Sequence, residues 1–336
     1  YGWGGMKYLT FFLVYIMPTM ILLGVIEGGL ALYLSGNKLA CPMFHKSDSE
    51  TGYTMLPNIK VSCLQAGRFV SIETGPEGKR ITPNSPTTNF SYTIHLVGDS
   101  QVLGWGLENN QTLAYWIQKQ MGNKYKLINH GVPGYGPHAY VGVLDDIPSG
   151  DLVIVTQTEV NDLTDAFYDK PSAKIHCNYL TATALGQNMP CWFLNSKIFQ
   201  AVSTLHKEYL QRIKPLPIGF NAKAYVAAKT LRNRMDLLYK KHVRTRNKNI
   251  LFATIPWDGS IDKDKLPHYH PKIREPLNLV STIDEFKLKD RILALPSPET
   301  LFFKTDFHLS SEGAKAVAGI IVNALLTAPK DFSQDD

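Results

Sequence analysis

Four short segments, far apart in the chain, carry residue types that complement one another chemically. "HLVGDSQVLGWG" (95–106) sets Ser100 behind an apolar run and a glycine, and "NHGVPGYG" (129–136) places glycines after a second run. "TEVNDLTD" (158–165) sets Asn161 after a third, and "KTDFHLSSEGAKAVA" (304–318) holds Asp306 and His308 two residues apart, on one side of an extended chain. Acyl transfer by a serine needs a base for the hydroxyl proton, an acid to orient that base, and preorganised donors for the oxyanion. The segments offer Ser100 as nucleophile, His308 as base, Asp306 as acid, and the Gly134 N–H and Asn161 amide as donors. Each also has an ordinary reading: a helix-capping serine, a glycine-rich turn, an asparagine bonded to loop backbone, a surface Asp–His pair.

These residues need a scaffold that brings them together. "YTIHLV", "KLINHG", "DLVIVTQ", "NILFATIP" and "RILALP" are short apolar runs with the β-branched content of buried strands. Between them lie stretches with helical spacing, such as "TLAYWIQKQMG" and "EGAKAVAGIIVNALL". The alternation predicts a parallel sheet with helices on both faces, whose carboxyl strand ends gather the functional groups. Ser310 or Ser311 is positioned to cap the last helix, with Glu312 in its first turn. Residues 164–194 read as a lid or rim loop, and 195–248 as two helices, the second carrying a basic, solvated face. Residues 37–92 read as a small β-rich module, with "RFVSIETGPEGKRIT" as two strands around a Gly-Pro-Glu-Gly turn.

The chain has 336 residues, and its net charge of +6 gives no reason to propose a nucleic-acid partner. Residues 8–36 are interrupted by Thr10, Pro18, Thr19 and Glu27 and end in Ser35-Gly36, an apolar run long enough to cross a bilayer and longer than the apolar core of most signal peptides, the cleaved signal peptide being the rival reading. We read it as a retained transmembrane helix, with Glu27 either meeting a polar partner or lying near the headgroups. Lys7 on one side and Lys38 and Lys46 on the other leave the orientation open. All four cysteines follow this run; of three possible connectivities, two local disulfides, Cys41 to Cys63 and Cys177 to Cys191, in an oxidising compartment are the simplest, and four buried free thiols in a cytosolic domain are the alternative. The histidines lack zinc-protease spacing, and His268 and His270 lie in a Pro-rich stretch, so no metal ligands are assigned.

The order GDS, N-x-G-x-x-G, V-N-D and D-x-H before a terminal helix resembles the SGNH (GDSL-type) hydrolase superfamily over about residues 93–327. The layout, with an N-terminal span and a module containing "GYTMLPN", is similar to membrane-anchored bacterial members. The resemblance implies a three-layer αβα sandwich over 93–330 with insertions at 164–194 and 195–248. It implies no cofactor and no metal, with Ser100, His308 and Asp306 as triad and the N–H of Ser100, Gly134 and Asn161 as oxyanion donors. It further implies a serine esterase or O-acyltransferase, a hydrolase-type acyl-enzyme mechanism, and acylated envelope glycans or other esters as substrates. The expected setting is the bacterial inner membrane, single-pass, with the catalytic part periplasmic or extracellular and, for an acyltransferase, a membrane partner protein.

Two departures stand out. Glu159 occupies the place of a glycine, where it either faces the site and opposes an oxyanion or turns away. Asp306 is two residues from His308, where many members have three. Glu159, with the anchor and the extra loop, motivates an alternative: a catalytically weak or inert subunit serving as a structural or glycan-binding component of an envelope assembly.

Overall fold

The structure is a computed structural model that describes residues 8, 10–34, 44–159, 162, 174–176, 179–181, 189–203, 250–256, 261, 286–304 and 307–327. Four strands form one parallel sheet in the order β10-β7-β5-β6: β5 (Tyr92–Gly98), β6 (Tyr125–Gly131), β7 (Leu152–Thr158) and β10 (Ile250–Ile255). Registers run from Tyr92 opposite Tyr125 to Gly98 opposite Gly131, and from Val153 opposite Ile250 to Thr158 opposite Ile255. The carboxyl ends of all four strands therefore lie on one edge. Ile94, Leu96, Val97, Ile154 and Val155 are completely buried, as expected of strands covered on both faces.

On one face, Ile94, Leu96, Ile154 and Ala253 pack against Leu113, Ile117, Leu288, Val317 and Ile321, which come from three helices: α3 (Leu113–Met121), α6 (Leu288–Leu293) and α7 (Ser311–Thr327). Thr112 caps α3 by accepting from the Tyr115 N–H at 3.2 Å. Ser310 caps α7 through the Gly313 N–H at 3.1 Å. A Cβ at Gly313 would lie 1.8 Å from the Leu301 carbonyl oxygen, so the last helix docks there only with a bare backbone.

The opposite face carries α4 (Pro137–Asp146) together with the β-rich segment. That segment contains two antiparallel pairs, β1 (His45–Asp48) with β2 (Gly52–Met55) and β3 (Lys60–Gln65) with β4 (Arg68–Glu73). Phe44, Tyr53, Met55 and Ile72 share one core with Val97, Tyr135, Tyr140 and Val155, so the segment covers the sheet rather than standing apart from it. Arg80 ties it down. Its buried guanidinium donates to the carbonyls of Leu103 (2.9 Å), Gly104 (2.8 Å), Leu107 (2.5 Å) and Ser71 (3.2 Å), and to Asn109 Oδ1 (2.9 Å). Burial lowers its pKa to about 10, so the cation persists at neutral pH, held by carbonyl oxygens in a dry site.

Two expectations need correcting. "RILALP" is not a strand: its first half belongs to α6, where Leu288 and Ile292 share a buried face four residues apart. A short apolar run has no period long enough to separate strand from helix. The hairpin expected around Gly-Pro-Glu-Gly turns instead at Ala66 and Gly67, both at positive φ (49° and 74°), while the later turn leads only to an isolated bridge from Thr74 to Arg80.

Near the N-terminus, a π-helical turn (Phe12–Ile16) runs into α1 (Met17–Leu34). Together they form a helix of 23 residues that is long and apolar enough to cross a membrane, with exposed apolar side chains along it and Leu34 buried at its end. The region expected to form a lid is described only as the hairpin of β8 (Lys174–His176) and β9 (Tyr179–Thr181) and as α5 (Cys191–Asn195). Of the two helices expected over 195–248, residues 197–203 are helical and 204–248 lie outside the described residues. No described cysteine is free, and Cys63 and Cys191 are disulfide-bonded; Cys41 and Cys177 lie outside the described residues.

His45 is buried between the rings of Phe44 (centroids 4.4 Å) and Tyr53 (5.3 Å), and burial lowers its pKa from 6.5 to about 4. Between those values the unfolded chain binds a proton that the folded chain does not, so stability rises with pH and is lost on acidification. We predict a loss from this residue approaching about 1.4 kcal/mol per pH unit below 6.5. Denaturant titrations at pH 7 and 5 check it: His45→Phe should flatten that part of the pH slope.

Candidate active site

The turn after β5 answers whether Ser100 serves as a helix cap. Asp99 takes that role, its carboxylate accepting from the Gln101 N–H at 2.8 Å, and Ser100 becomes the first residue of the four-residue helix α2 (Ser100–Leu103). The Ser100 hydroxyl lies 2.8 Å from His308 Nε2, across 208 residues of sequence. With the proton of a neutral imidazole on Nδ1, Nε2 accepts from the hydroxyl, which is the arrangement a serine nucleophile needs. The Trp105 ring, 6.1 Å from that of His308, forms part of the surroundings.

His308 is fixed by its neighbours in the chain. The Gln101 side chain donates from Nε2 to the Phe307 carbonyl at 3.1 Å and accepts at Oε1 from the Leu309 N–H at 2.9 Å. One buried amide thus holds the backbone on both sides of the histidine. The Phe303 N–H donates to the His308 carbonyl at 2.8 Å, and Phe307 sits at φ 59°, a left-handed conformation that the surrounding bonds sustain. Sequence reasoning missed Gln101, because nothing local in "GDSQ" indicates a partner two hundred residues away. Gln101→Ala should lower the rate at which Ser100 reacts with a serine-directed fluorophosphonate by roughly ten- to a hundredfold. Gln101→Glu should not restore it, since a carboxylate cannot donate to the Phe307 carbonyl.

The second segment supports α2 from below. A Cβ at Gly131 would lie 2.1 Å from the Leu103 nitrogen, so the short helix rests directly on the end of β6. Asn129 fastens the contact, donating to the Val102 carbonyl at 2.9 Å and accepting from the Gly131 N–H at 2.8 Å. Gly134, at φ 76°, lies in the loop that follows; the Tyr53 hydroxyl donates to the Pro133 carbonyl at 2.9 Å and steadies that loop from the β-rich segment. Asn161 and Asp306 lie outside the described residues. Asp162, next to Asn161, is buried and accepts from the Thr158 N–H (2.7 Å) and the Tyr140 hydroxyl (2.8 Å), which ties it to the end of β7 and to α4.

Glu159 does not turn outward: it is fully buried and ion-paired with Lys289 of α6, itself 8% exposed. Removing the lysine leaves a buried carboxylate without its cation. We predict that Lys289→Met destabilises the fold by about 3–5 kcal/mol, and that adding Glu159→Leu recovers much of this, both read from denaturant midpoints.

A second histidine cluster spans β5 and β6. His95 Nδ1 is 2.9 Å from His130 Nε2, and His95 Nε2 is 2.9 Å from Asp151 Oδ2. Burial lowers both imidazole pKa values, that of His130 well below its ordinary value, while Asp151 opposes the shift at His95. Among the described residues no group of three or more His, Cys, Asp or Glu side chains could hold a metal ion; His268 and His270 lie outside them.

No protein-family model matches the chain, and no curated protein sequence matches it. Several solved structures resemble it at low identity. One is a lipolytic protein of the G-D-S-L family from Desulfitobacterium hafniense DCB-2 (13% identity, 69% of this chain and 99% of that one, TM-score 0.37). Another is a carbohydrate acetylesterase family member from Sinorhizobium meliloti (14% identity, 70% and 97%, TM-score 0.33). A third is AlinE4, an SGNH-hydrolase family esterase (24% identity, 62% and 100%, TM-score 0.26).

Proposed function

We propose that this chain is a serine esterase or O-acyltransferase of the SGNH (GDSL) type. The observation that carries the reading is the 2.8 Å contact between the Ser100 hydroxyl and His308 Nε2 at the carboxyl edge of a parallel sheet. Ser100 Oγ attacks the ester carbonyl as its proton passes to His308 Nε2, with Asp306 orienting the imidazole. The N–H groups of Ser100 and Gly134 and the amide of Asn161 receive the oxyanion. Collapse of the tetrahedral intermediate expels the alcohol, protonated by His308, and leaves Ser100 acylated. Water or a second alcohol then takes the acyl group by the same steps in reverse.

The proposal extends to the setting. Residues 8–36 serve as a single-pass anchor in the bacterial inner membrane, 37–92 as a β-rich module and 93–330 as the catalytic domain, facing the periplasm or cell exterior. Disulfides Cys41–Cys63 and Cys177–Cys191 suit that compartment. Acylated envelope glycans are the substrate class, and a membrane protein that delivers acyl groups is the partner an acyltransferase would need. The alternative of a catalytically weak or inert subunit rests on Glu159, the anchor and the extra loop; of these, Glu159 has its charge met by Lys289.

Intact-mass spectrometry after exposure to a serine-directed fluorophosphonate tests the reading. The expected result is one adduct, absent in Ser100→Ala and formed on the order of a thousandfold more slowly in His308→Ala. A folded chain that forms no adduct would return Ser100 to a structural role. Product analysis with an acetylated oligosaccharide, with and without an acceptor sugar, then separates hydrolysis from transfer.

A further inference from the structure

Glu27 lies on the apolar helix, yet its carboxylate is engaged by a segment about 170 residues downstream. It accepts from the Ser196 hydroxyl (3.0 Å) and from the N–H groups of Lys197 (2.5 Å) and Ile198 (2.9 Å). Those N–H groups open the helical stretch 197–203, which Ser196 also caps through the Phe199 N–H at 3.3 Å. A carboxylate accepting from unpaired N–H groups at a helix start is a favourable pairing, and it strengthens as water is excluded.

The position of Glu27 sets the depth of this contact. Tyr8 and Tyr33 are exposed near the two ends of the helix, roughly 38 Å apart at 1.5 Å per residue, about the separation of the two interfacial aromatic belts of a bilayer. Glu27 is six residues before Tyr33, hence about 9 Å inside that belt. With Phe12–Leu34 read as a span, whatever binds Glu27 lies among the upper acyl chains, not out in the periplasm or cytoplasm. Next to the contact, Trp192 is 74% exposed and Val202 59% exposed, and Trp192, Phe193 and Phe199 form a run of ring contacts (centroids 5.8 and 4.7 Å).

We propose that residues 191–203 form a second membrane-seated element, an interfacial wedge docked on the spanning helix through Glu27, with Trp192, Phe193 and Val202 in the headgroup–acyl boundary. The occupant of this apolar surface is the lipid bilayer. Residues 191–194 of the wedge are also the end of the stretch read as a lid or rim loop, which sets them at a membrane surface where an amphiphilic ester or an acyl donor is presented. The proposal rests on reading Phe12–Leu34 as a retained span, and a helix tied into the fold at Glu27 is itself unlike a leader that is removed.

The test uses the full chain purified from membranes and reconstituted in vesicles containing lipids brominated on the acyl chain. Intact mass together with resistance to alkaline extraction first reports whether the helix is retained. Bromolipid quenching should then fall in Trp192→Phe by on the order of a fifth of total emission, Trp192 being one of five tryptophans. Hydrogen exchange at the Lys197 and Ile198 amides should rise at least tenfold in Glu27→Ala, with sheet amides unchanged. A retained helix with unquenched Trp192, or exchange unaffected by Glu27→Ala, overturns the wedge while leaving the anchor standing. A mature chain lacking residues 1–36 overturns both.

Discussion

A helix of four residues cannot sustain itself: one turn fixes several backbone dihedrals for a single hydrogen bond. The helix Ser100–Leu103 exists because nearly every polar group at its ends is bonded to something outside it. Asp99 accepts from the Gln101 N–H, and Asn129 and Arg80 take the carbonyls of Val102, Leu103 and Gly104. Gly131 lets it rest on the neighbouring strand without an intervening side chain. The orientation of the Ser100 hydroxyl is thus a property of the sheet, the β-rich segment and the C-terminal loop together.

This explains why a cation is buried beside the proposed nucleophile. Arg80 comes from the β-rich segment, and its guanidinium satisfies carbonyls that a helix this short leaves open. A neutral donor could reach one or two of them, whereas the guanidinium fork spans residues 71 to 107. The same segment steadies the Gly134 loop through Tyr53. What reads in sequence as a small β-rich module shares one core with the sheet and buttresses both α2 and the Gly134 loop.

The sheet was legible because its strands are buried on both faces and read as near-continuous apolar runs, and the capping residues of the last helix because capping is local chemistry. Ser100 and His308 were legible as a pair only through the joint order of several motifs. Gln101, Arg80 and Lys289 were not: each acts on a group dozens to hundreds of residues away, and the identity of one residue carries no trace of such a partner. "RILALP" was misread for a related reason, since six apolar-rich residues satisfy strand and helix patterns equally and the choice falls to tertiary packing. Glu159 looked disruptive because its cation sits 130 positions further on.

The separation of 208 residues between the serine and its histidine bears on how the protein is made. A chain synthesised from its N-terminus exposes Ser100 long before the loop after Leu301 and the final helix exist. Until the bare backbone at Gly313 of that helix settles against the Leu301 carbonyl, the loop that carries His308 lacks its anchor. On the proposed mechanism, a nascent or truncated form that lacks His308 has no base for Ser100 and stays unreactive.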